Sequence, residues 1–338
     1  MDGLLNIDLL ELSRHAQWSF LLIFLILHFF VGFLVPKDVQ SLPFFWRVIG
    51  RFSGALNTRL NRKKRSQRAR RIRGYIVMLL LMGIAVVFGV LFNSMTSLPE
   101  SWIGLFVIWA GCISFTIPLK LLKRVMLSVQ TKDVELARRA LHKVSLAKPD
   151  TLDQFGVVRH AIEFSSWAMV RLFIGPVFWF VIAEGMGLGF YVVFAAADRA
   201  IGTQNQEDKA FTGAVGRVDK ILNYIPLRFA VLLLWVASLF TPNSFPGRAL
   251  RHLSRVDGLK TKKKQGQHIL LSVMAGLTGV SLGGAFVPLV GSSVKRPWFG
   301  SQKASAKVSG NNIQTVLILY LVVFAWSLLA LLLLISLA

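Results

Sequence analysis

Apolar residues in this chain form long runs that are separated by polar and basic segments. Five of these runs are long enough, or nearly long enough, to cross a bilayer, which takes about 20 apolar residues in a helix. They cover residues 18–35, 75–92, 101–118, 221–240 and 316–338. The pattern therefore predicts an all-α, polytopic integral membrane protein that folds as a single membrane domain over residues 1–338.

Two further apolar segments, residues 167–201 and 269–290, are interrupted by residues that a simple span seldom carries. The first contains Arg171, Glu184 and a glycine-rich turn, and the second contains several glycines and a proline. Non-helical backbone at membrane depth is tolerated only where protein or a water-filled cavity covers it. We therefore expect both segments to form broken or re-entrant helical hairpins that line a cavity.

Residues 123–166 have the pattern of a soluble helical segment between the third span and the first hairpin. Thr131 is placed to cap a helix whose first turn holds Asp133 and Glu135, and whose end is basic. This order of charges suits the helix dipole. We predict that the segment is helical and cytoplasmic.

Composition and charge fit a membrane protein and not a soluble domain. Hydrophobic residues make up 54% of the chain, and the mean hydropathy is +0.59. The net charge of +23 comes largely from cytoplasmic-type basic loops, since Lys and Arg accumulate on the inner side of a membrane. No nucleic-acid recognition motif accompanies the charge, so nucleic acid is not an expected partner. The densest basic cluster is Arg59, Arg62, Lys63, Lys64, Arg65, Arg68, Arg70, Arg71 and Arg73.

This cluster lies between the first two predicted spans and sets the expected orientation. If Arg59–Arg73 is cytoplasmic, the N-terminus lies outside, and the basic loop contacts anionic lipid headgroups of the bilayer. The acidic segment Asp2–Glu11 precedes the first span without a basic region, so we expect no cleaved signal peptide there. Cys112 is the single cysteine, lies in an apolar run, and is expected to be a buried packing residue.

Ionisable residues inside apolar segments are functional candidates by default, because burying them is costly. The chain has no phosphate-binding loop, no dinucleotide fingerprint and no Cys/His cluster, so these residues alone do not name a reaction. The candidates are Glu163, Arg171, Glu184, Asp198, Arg217, Asp219 and Arg228.

Several blocks, in order along the chain, resemble the blocks of one family. Arg47-Val-Ile-Gly-Arg51 resembles a HPVRxIGR block, and the segment from Arg217 to Arg228 resembles a RxDDxxNxxPAR block. Residues 280–300, VSLGGAFVPLVGSSVKRPWFG, resemble a C-terminal signature. The ordered set, from about residue 47 to 320, is similar to CobD/CbiB, the adenosylcobinamide-phosphate synthases of cobalamin biosynthesis.

The resemblance implies a reaction that joins the carboxyl group of a corrinoid acid to aminopropanol or its phosphate, like an ATP-dependent amide ligation. Such chemistry needs carboxylates to hold Mg²⁺ and to position an activated phosphate. Mg²⁺ and ATP are implied only if the family activity is retained, and the resemblance identifies no metal ligands. It implies catalytic roles for Asp198 and Asp219, and substrate-binding roles for Arg47, Arg51, Asp150, Thr151, Arg217, Asn223 and Arg228.

The departures from the family pattern fall on polar and acidic positions. A Glu-Asn-x-x-Asp set is replaced by Trp167, Ala168 and Arg171, and the second Asp of RxDD is Lys220. Two basic groups would repel a cation bound at these positions. We therefore predict that Arg171 or Lys220 forms a salt bridge with Asp198 or Asp219, which would neutralise the site.

Two interpretations from different classes remain. The first is a divergent synthase in a bacterial inner membrane, acting on a corrinoid substrate. The second is a catalytically silent protein, a pseudoenzyme that works with a membrane protein partner in signalling or assembly. The segment from Arg171 to Trp179 resembles the signalling protein AmpE, which favours the second. Broken helices also occur in transporters, but no inverted repeat is visible.

Overall fold

The computed structural model describes residues 2–34, 42–62, 64–96, 102–145, 148–202, 209–251, 265–285, 287–288, 296–300 and 308–337. This part is almost entirely helical. The α-helices are α1 Asp2–Leu34, α2 Phe44–Leu60, α3 Gln67–Thr96, α4 Trp102–Cys112, α5 Thr116–Thr131, α6 Val134–His142, α7 Gln154–Ala168, α8 Gly175–Gly202, α9 Lys209–Leu222, α10 Tyr224–Leu239, α11 Gln265–Thr278 and α12 Gly310–Leu337. Residues 246–251 are also helical.

Three smaller elements complete the described chain. A 3₁₀ turn, Pro149–Thr151, precedes α7, and a π-helical segment, Met169–Ile174, joins α7 to α8. The two-residue strands β1, Leu282–Gly283, and β2, Trp298–Phe299, pair antiparallel, with Leu282 opposite Phe299.

Four helical stretches are long and apolar enough to cross a membrane: His15–Gly32 in α1, Gln67–Thr96, Gln154–Gly202 and Gly310–Leu337. Two helix pairs qualify together, α4 with α5 and Ala210–Leu222 with α10, and each pair is bent by 47° at a short break. By length and composition, the described part of the chain therefore holds four to six candidate spans. The prediction of an all-α, polytopic membrane protein is confirmed.

The candidate span at residues 101–118 is a broken helix and not a continuous one. Helix α4 ends at Cys112, and the Ser114 N–H donates to the carbonyl oxygen of Leu172, 2.8 Å away, instead of continuing its own helix. Pro118 has no N–H to give to the carbonyl of Ser114, so a continuous helix would lose a hydrogen bond there.

The predicted span at residues 221–240 also begins in a different helix. Helix α9 ends at Leu222, Asn223 forms a turn, and α10 runs on to Leu239. Pro226 cannot donate to the carbonyl four residues earlier, that of Leu222. The indole Nε1 of Trp179 donates to that carbonyl instead, at 2.8 Å.

The segment at residues 167–201 folds as a helical hairpin whose tip interrupts α8. Ala183 and Glu184 have non-helical dihedral angles, and Glu184 has φ +48°. A Cβ on Gly187 would lie 2.2 Å from the carbonyl oxygen of Trp179, although in a straight helix the two residues would be about 12 Å apart. The chain therefore turns back on itself at Ala183 and Glu184.

Only the middle of the predicted cytoplasmic segment, residues 123–166, lies outside the candidate spans. Its two ends belong to α5 and α7, and both helices continue into candidate spans. The cap of α6 is Asp133, whose side chain accepts the Leu136 N–H at 3.2 Å. Thr131, the predicted cap, lies in the last turn of α5 and donates to the carbonyl oxygen of Leu127. The cap prediction was therefore wrong by two residues.

The second predicted hairpin, residues 269–290, is not helical throughout. Helix α11 ends at Thr278, and the chain continues into β1, which pairs with β2. Gly283 has φ +95°, and a Cβ there would lie 2.3 Å from the carbonyl oxygen of Pro297. Only glycine permits this close strand pairing. Residues 286 and 289–290 lie outside the described residues.

Aromatic side chains fill the interior between the helices. The rings of Trp109 and Phe180 meet edge to face with centroids 5.3 Å apart, which joins α4 to α8. The rings of Phe115 and Phe324 stack at 4.4 Å and join the start of α5 to α12. These contacts hold the broken helices against the continuous ones.

Candidate functional site

The π-helical segment places one charged side chain in the interior. Pro176 removes the N–H that would bind the carbonyl of Leu172, and the Ser114 N–H takes that carbonyl instead. The widened turn carries Arg171 among apolar residues, with a side chain only 12% exposed. π-Helical turns inside α-helices occur frequently at functional sites.

Arg171 forms a two-point salt bridge with Asp219 of α9. Nη2 donates to Oδ2 at 2.7 Å, and Nη1 contacts Oδ1. The Asp219 side chain is 3% exposed. The predicted pairing of an altered basic residue with a retained acidic residue is thus confirmed for Arg171. Because the guanidinium fork occupies both carboxylate oxygens, Asp219 is held as an ion-pair partner.

Polar side chains surround this salt bridge. The hydroxyl of Tyr191 donates to Oδ1 of Asn223, 3.0 Å away. The ring of Tyr191 lies directly against Gly175, where a Cβ would be 2.1 Å from the hydroxyl oxygen. Asp198 is close enough to Arg171 for charge–charge interaction. The two predicted catalytic residues, Asp198 and Asp219, therefore both interact with one buried arginine.

We call Arg171, Tyr191, Asp198, Asp219 and Asn223 the central cluster. Sequence reasoning identified four of them and missed Tyr191. The signal that could have found Tyr191 is the small residue Gly175, because a close packing position of this kind accommodates a large side chain from the facing helix.

The other predicted binding residues have local contacts elsewhere. Arg217 is exposed, and its Nη2 donates to the hydroxyl of Tyr75 at 3.1 Å. Arg228 is exposed and lies over the ring of its neighbour Tyr224, 3.5 Å from the centroid. Both arginines cover tyrosine rings at the surface.

The candidates on α2 and in the 3₁₀ turn before α7 also lie at the surface. Arg47 and Arg51 are exposed on α2. Asp150 contacts His142, with Nε2 to Oδ1 at 3.1 Å, and the hydroxyl of Thr151 donates to a carbonyl three residues earlier. The contacts described for these side chains are thus local, within the part of the chain that the structure covers.

The altered positions take structural roles of different kinds. Trp167 lies beneath the guanidinium of Arg199, which is 4.1 Å from the ring centroid. Arg199 also donates to the carbonyl oxygen of Val144 at 2.5 Å. Ala168 is fully buried, whereas Lys220 is exposed although it follows Asp219. Of the two basic substitutions, only Arg171 therefore faces the cluster.

A second buried carboxylate holds the C-terminal signature. Glu163 on α7 accepts the Gly283 N–H at 2.8 Å and Nη2 of Arg296 at 2.8 Å. Nε of Arg296 donates to the carbonyl oxygen of Gly284. Glu163 is 8% exposed at the side chain and joins α7 to the strand pair β1–β2. Sequence reasoning flagged Glu163 as buried and ionisable, but not its partner.

The donor set of the central cluster does not fit a divalent cation bound at Asp219. Mg²⁺ requires several oxygen ligands at about 2.1 Å in an octahedron, and Arg171 already covers both Asp219 oxygens. Across the described residues, no three Asp, Glu, His or Cys side chains are grouped as a metal site would need.

Comparisons with known proteins match most of the chain. A family model described as CobD/Cbib protein matches residues 25–334. A cobalamin biosynthesis protein CobD of Sinorhizobium sp is 30% identical over 209 residues, which cover 61% of this chain and 62% of that protein. A protein of the same name from Rhodobacter capsulatus is 29% identical over 191 residues, which cover 55% and 60%.

A third protein of that name, from Brucella anthropi, is 31% identical over 133 residues, which cover 39% of this chain and 41% of that protein. The chain thus spans less than two thirds of the length of these relatives in the matched segments. No solved structure matches the chain.

Proposed function

The chain belongs to the CobD/CbiB family of cobalamin biosynthesis, and from this premise we propose that it is a catalytically silent member. On this proposal it does not itself join aminopropanol, or its phosphate, to adenosylcobyric acid. Its role is to bind a corrinoid or a membrane protein partner. The likeness of its segment from Arg171 to Trp179 to AmpE favours such a non-catalytic role. Family membership alone does not carry the family reaction, because function lies in the site.

The observation that carries this proposal is the salt bridge between Arg171 and Asp219. The resemblance expects an acid at the position of Arg171, and here the guanidinium at that position pairs with the retained acid Asp219, both side chains being buried. An acid pair attracts a cation, whereas an ion pair is close to neutral and its oxygens are already bound. The exchange of Asp for Arg171 therefore removes the feature on which Mg²⁺ and ATP chemistry would depend.

A second candidate function is a working synthase with a changed site. Asp198 and Asn223 remain beside the salt bridge, and Tyr191 holds Asn223 in place. If Arg171 bound the anionic part of a substrate, Asp219 would orient that guanidinium and the substrate would replace the cation. This candidate requires a ligand that reaches Arg171, whose side chain is 12% exposed.

Genetic complementation tests the proposal against this second candidate. The chain is expressed in a bacterium that lacks its own synthase and is supplied with cobyric acid, and cobalamin-dependent growth is scored. We expect no growth with the wild-type chain, although it is found in the membrane fraction, and growth with a known synthase as the positive control. Growth that is abolished by Asp219→Ala would overturn the proposal and establish the second candidate.

A further inference from the structure

The chain between α2 and α3 makes a short elbow that gathers basic side chains. We call Arg59, Arg62, Lys64, Arg68 and Arg71 the elbow patch. All five are exposed. The sequence has no acidic residue between Asp38 and Glu100, so neighbouring residues along the chain supply no counter-charge. Such a density of like charge on a surface attracts an anionic partner.

The elbow has a defined shape, which two other arginines help to fix. Arg70 is buried, and its Nε donates to Oδ1 of Asn61 at 2.8 Å. The Asn61 amide donates to Oδ1 of Asn57 at 3.0 Å, and Arg65 donates to the carbonyl oxygen of Leu60 at 3.2 Å. These contacts join the end of α2 to the start of α3, so the elbow patch lies on two helices that are held to each other.

Exposed apolar side chains lie within about two helical turns of the patch. On α3, Ile72 is 54% and Ile76 is 57% exposed, and on α2, Phe52 is 40% exposed. Helix α3 is a candidate span, so a bilayer would cover Ile72 and Ile76. Tyr75 on the same helix accepts a hydrogen bond from Arg217, in the amphipathic position that Tyr takes at a membrane–water interface.

Helix stabilisation and nucleic-acid binding explain less of this arrangement than lipid binding does. Cations near the N-terminus of a helix oppose its dipole, so Arg68 in the first turn and Arg71 just after it do not stabilise α3. A nucleic acid would neutralise the charge, but it would leave Ile72, Ile76 and Phe52 uncovered. A surface that is basic on one side and apolar on the other fits the headgroup and acyl region of a lipid.

We propose that the elbow patch binds the phosphate headgroups of anionic phospholipids, with the exposed side chains of α2 and α3 against the acyl chains. The partner is defined by its chemistry: a phosphodiester with net negative charge, attached to an apolar tail. The patch therefore does more than orient the protein, because it selects the lipid that surrounds this corner.

Native mass spectrometry of the full-length protein with equal amounts of phosphatidylglycerol and phosphatidylcholine tests this proposal. We expect wild-type protein to retain phosphatidylglycerol preferentially. The triple variant Arg62→Gln, Arg68→Gln, Arg71→Gln should lower that preference by at least ~tenfold. Each basic residue near an anionic surface is expected to raise the affinity for anionic lipid by somewhat less than about tenfold. The corresponding triple Lys variant should keep most of it.

A matched control carries three Gln substitutions at exposed basic residues elsewhere, Lys132, Arg139 and Lys143. It should bind lipid as the wild type does. An unchanged lipid preference in the Arg62, Arg68 and Arg71 Gln variant would overturn the proposal, as would an equal loss in the control. A single-stranded oligonucleotide that displaced phosphatidylglycerol from the wild type at physiological salt would also overturn it.

Discussion

A guanidinium inside an apolar helix bundle is stable only when a counter-ion and hydrogen-bond acceptors meet it. Arg171 has both in Asp219, whose two oxygens bind its two terminal nitrogens. The net free energy of such a pair is small, but the loss of one partner leaves a charge buried without compensation. The stability of this site should therefore depend on the pair and not on either residue alone.

Single and double variants of this pair should show strong coupling. Asp219→Leu or Arg171→Met alone is expected to lower the free energy of unfolding by ~3–5 kcal/mol, because each leaves an unpaired buried charge. Arg171→Met with Asp219→Leu should recover most of that loss. Equilibrium unfolding of each variant in detergent micelles measures these free energies. As a control, Arg139→Ala breaks an exposed pair with Asp133 and should change stability by less than ~1 kcal/mol.

Additive effects of the two single substitutions would contradict the pairing.

The sequence showed that acidic positions had been replaced by basic residues. It did not show which of these basic residues would form the salt bridge. Arg171 and Lys220 are both basic replacements of acids, and both were candidates for the salt bridge. Lys220 follows Asp219 on α9, and successive side chains on a helix point about 100° apart. A paired Asp219 thus turns Lys220 outward, a consequence that requires knowing which face of α9 is buried.

At the scale of elements, hydropathy located the apolar helices but not their breaks. The run at residues 101–118 is largely apolar, and Pro118, the one helix-breaking signal in it, lies six residues beyond the end of α4 at Cys112. The breaks depend on groups from distant elements, such as the Trp46 indole, which donates to the Cys112 carbonyl at 2.9 Å. Such partners come together only in the folded bundle. The positions of prolines such as Pro226 are the part of the evidence for these breaks that the sequence does contain.

Gly187 is where the hairpin in α8 is expected to be most sensitive. Gly187→Ala would place a Cβ 2.2 Å from the backbone oxygen of Trp179, which cannot move without opening the turn. The expected loss in unfolding free energy is ~2 kcal/mol or more. Gly213→Ala is the matched control, because no atom lies within 4 Å of a Cβ there and alanine favours the helix by up to ~1 kcal/mol.

Thermal unfolding of the two glycine variants would measure the difference. Equal midpoints for Gly187→Ala and Gly213→Ala would contradict the hairpin geometry.

Glu163 is predicted to hold the strand pair β1–β2 against α7. Glu163→Gln keeps an acceptor for the Gly283 N–H but loses the charge that binds Arg296. Hydrogen exchange at the backbone amides of Gly283 and Phe299 should quicken by about tenfold, since a hydrogen bond to a charged group contributes ~1.5–3 kcal/mol. Glu135→Gln, in an exposed ion pair, should leave these amides unchanged. Unaltered exchange in Glu163→Gln would show that the strand pair is held by other contacts.

At the scale of the whole molecule, the distribution of basic residues predicts the orientation in the membrane. We propose that the elbow patch is cytoplasmic and that the far end of α3 lies outside. Cys112 is buried, so introduced cysteines can be labelled against a quiet background. A membrane-impermeant maleimide added to intact cells should label Ser94→Cys and leave Lys64→Cys unlabelled until the membrane is opened. The reverse pattern would contradict the orientation.

The fold class and the family were predictable from the whole chain, whereas the state of the site was not. Apolar runs and ordered sequence blocks extend over hundreds of residues, so they survive local divergence. The central cluster instead depends on a few side chains, and a single exchange at Arg171 changes its charge. Arg217 and Arg228 match the family block by sequence, yet they lie at the surface over tyrosine rings.

An amide ligation assay with the purified protein in lipid nanodiscs tests most directly whether the site is silent. The assay supplies adenosylcobyric acid, aminopropanol phosphate, ATP and Mg²⁺, and mass spectrometry detects the amide product. We expect no product above a protein-free control, with a known synthase active under the same conditions. Product formed by the wild-type chain and lost in Asp219→Ala would contradict the proposal of a silent site, because the salt bridge with Arg171 would then belong to a working active site.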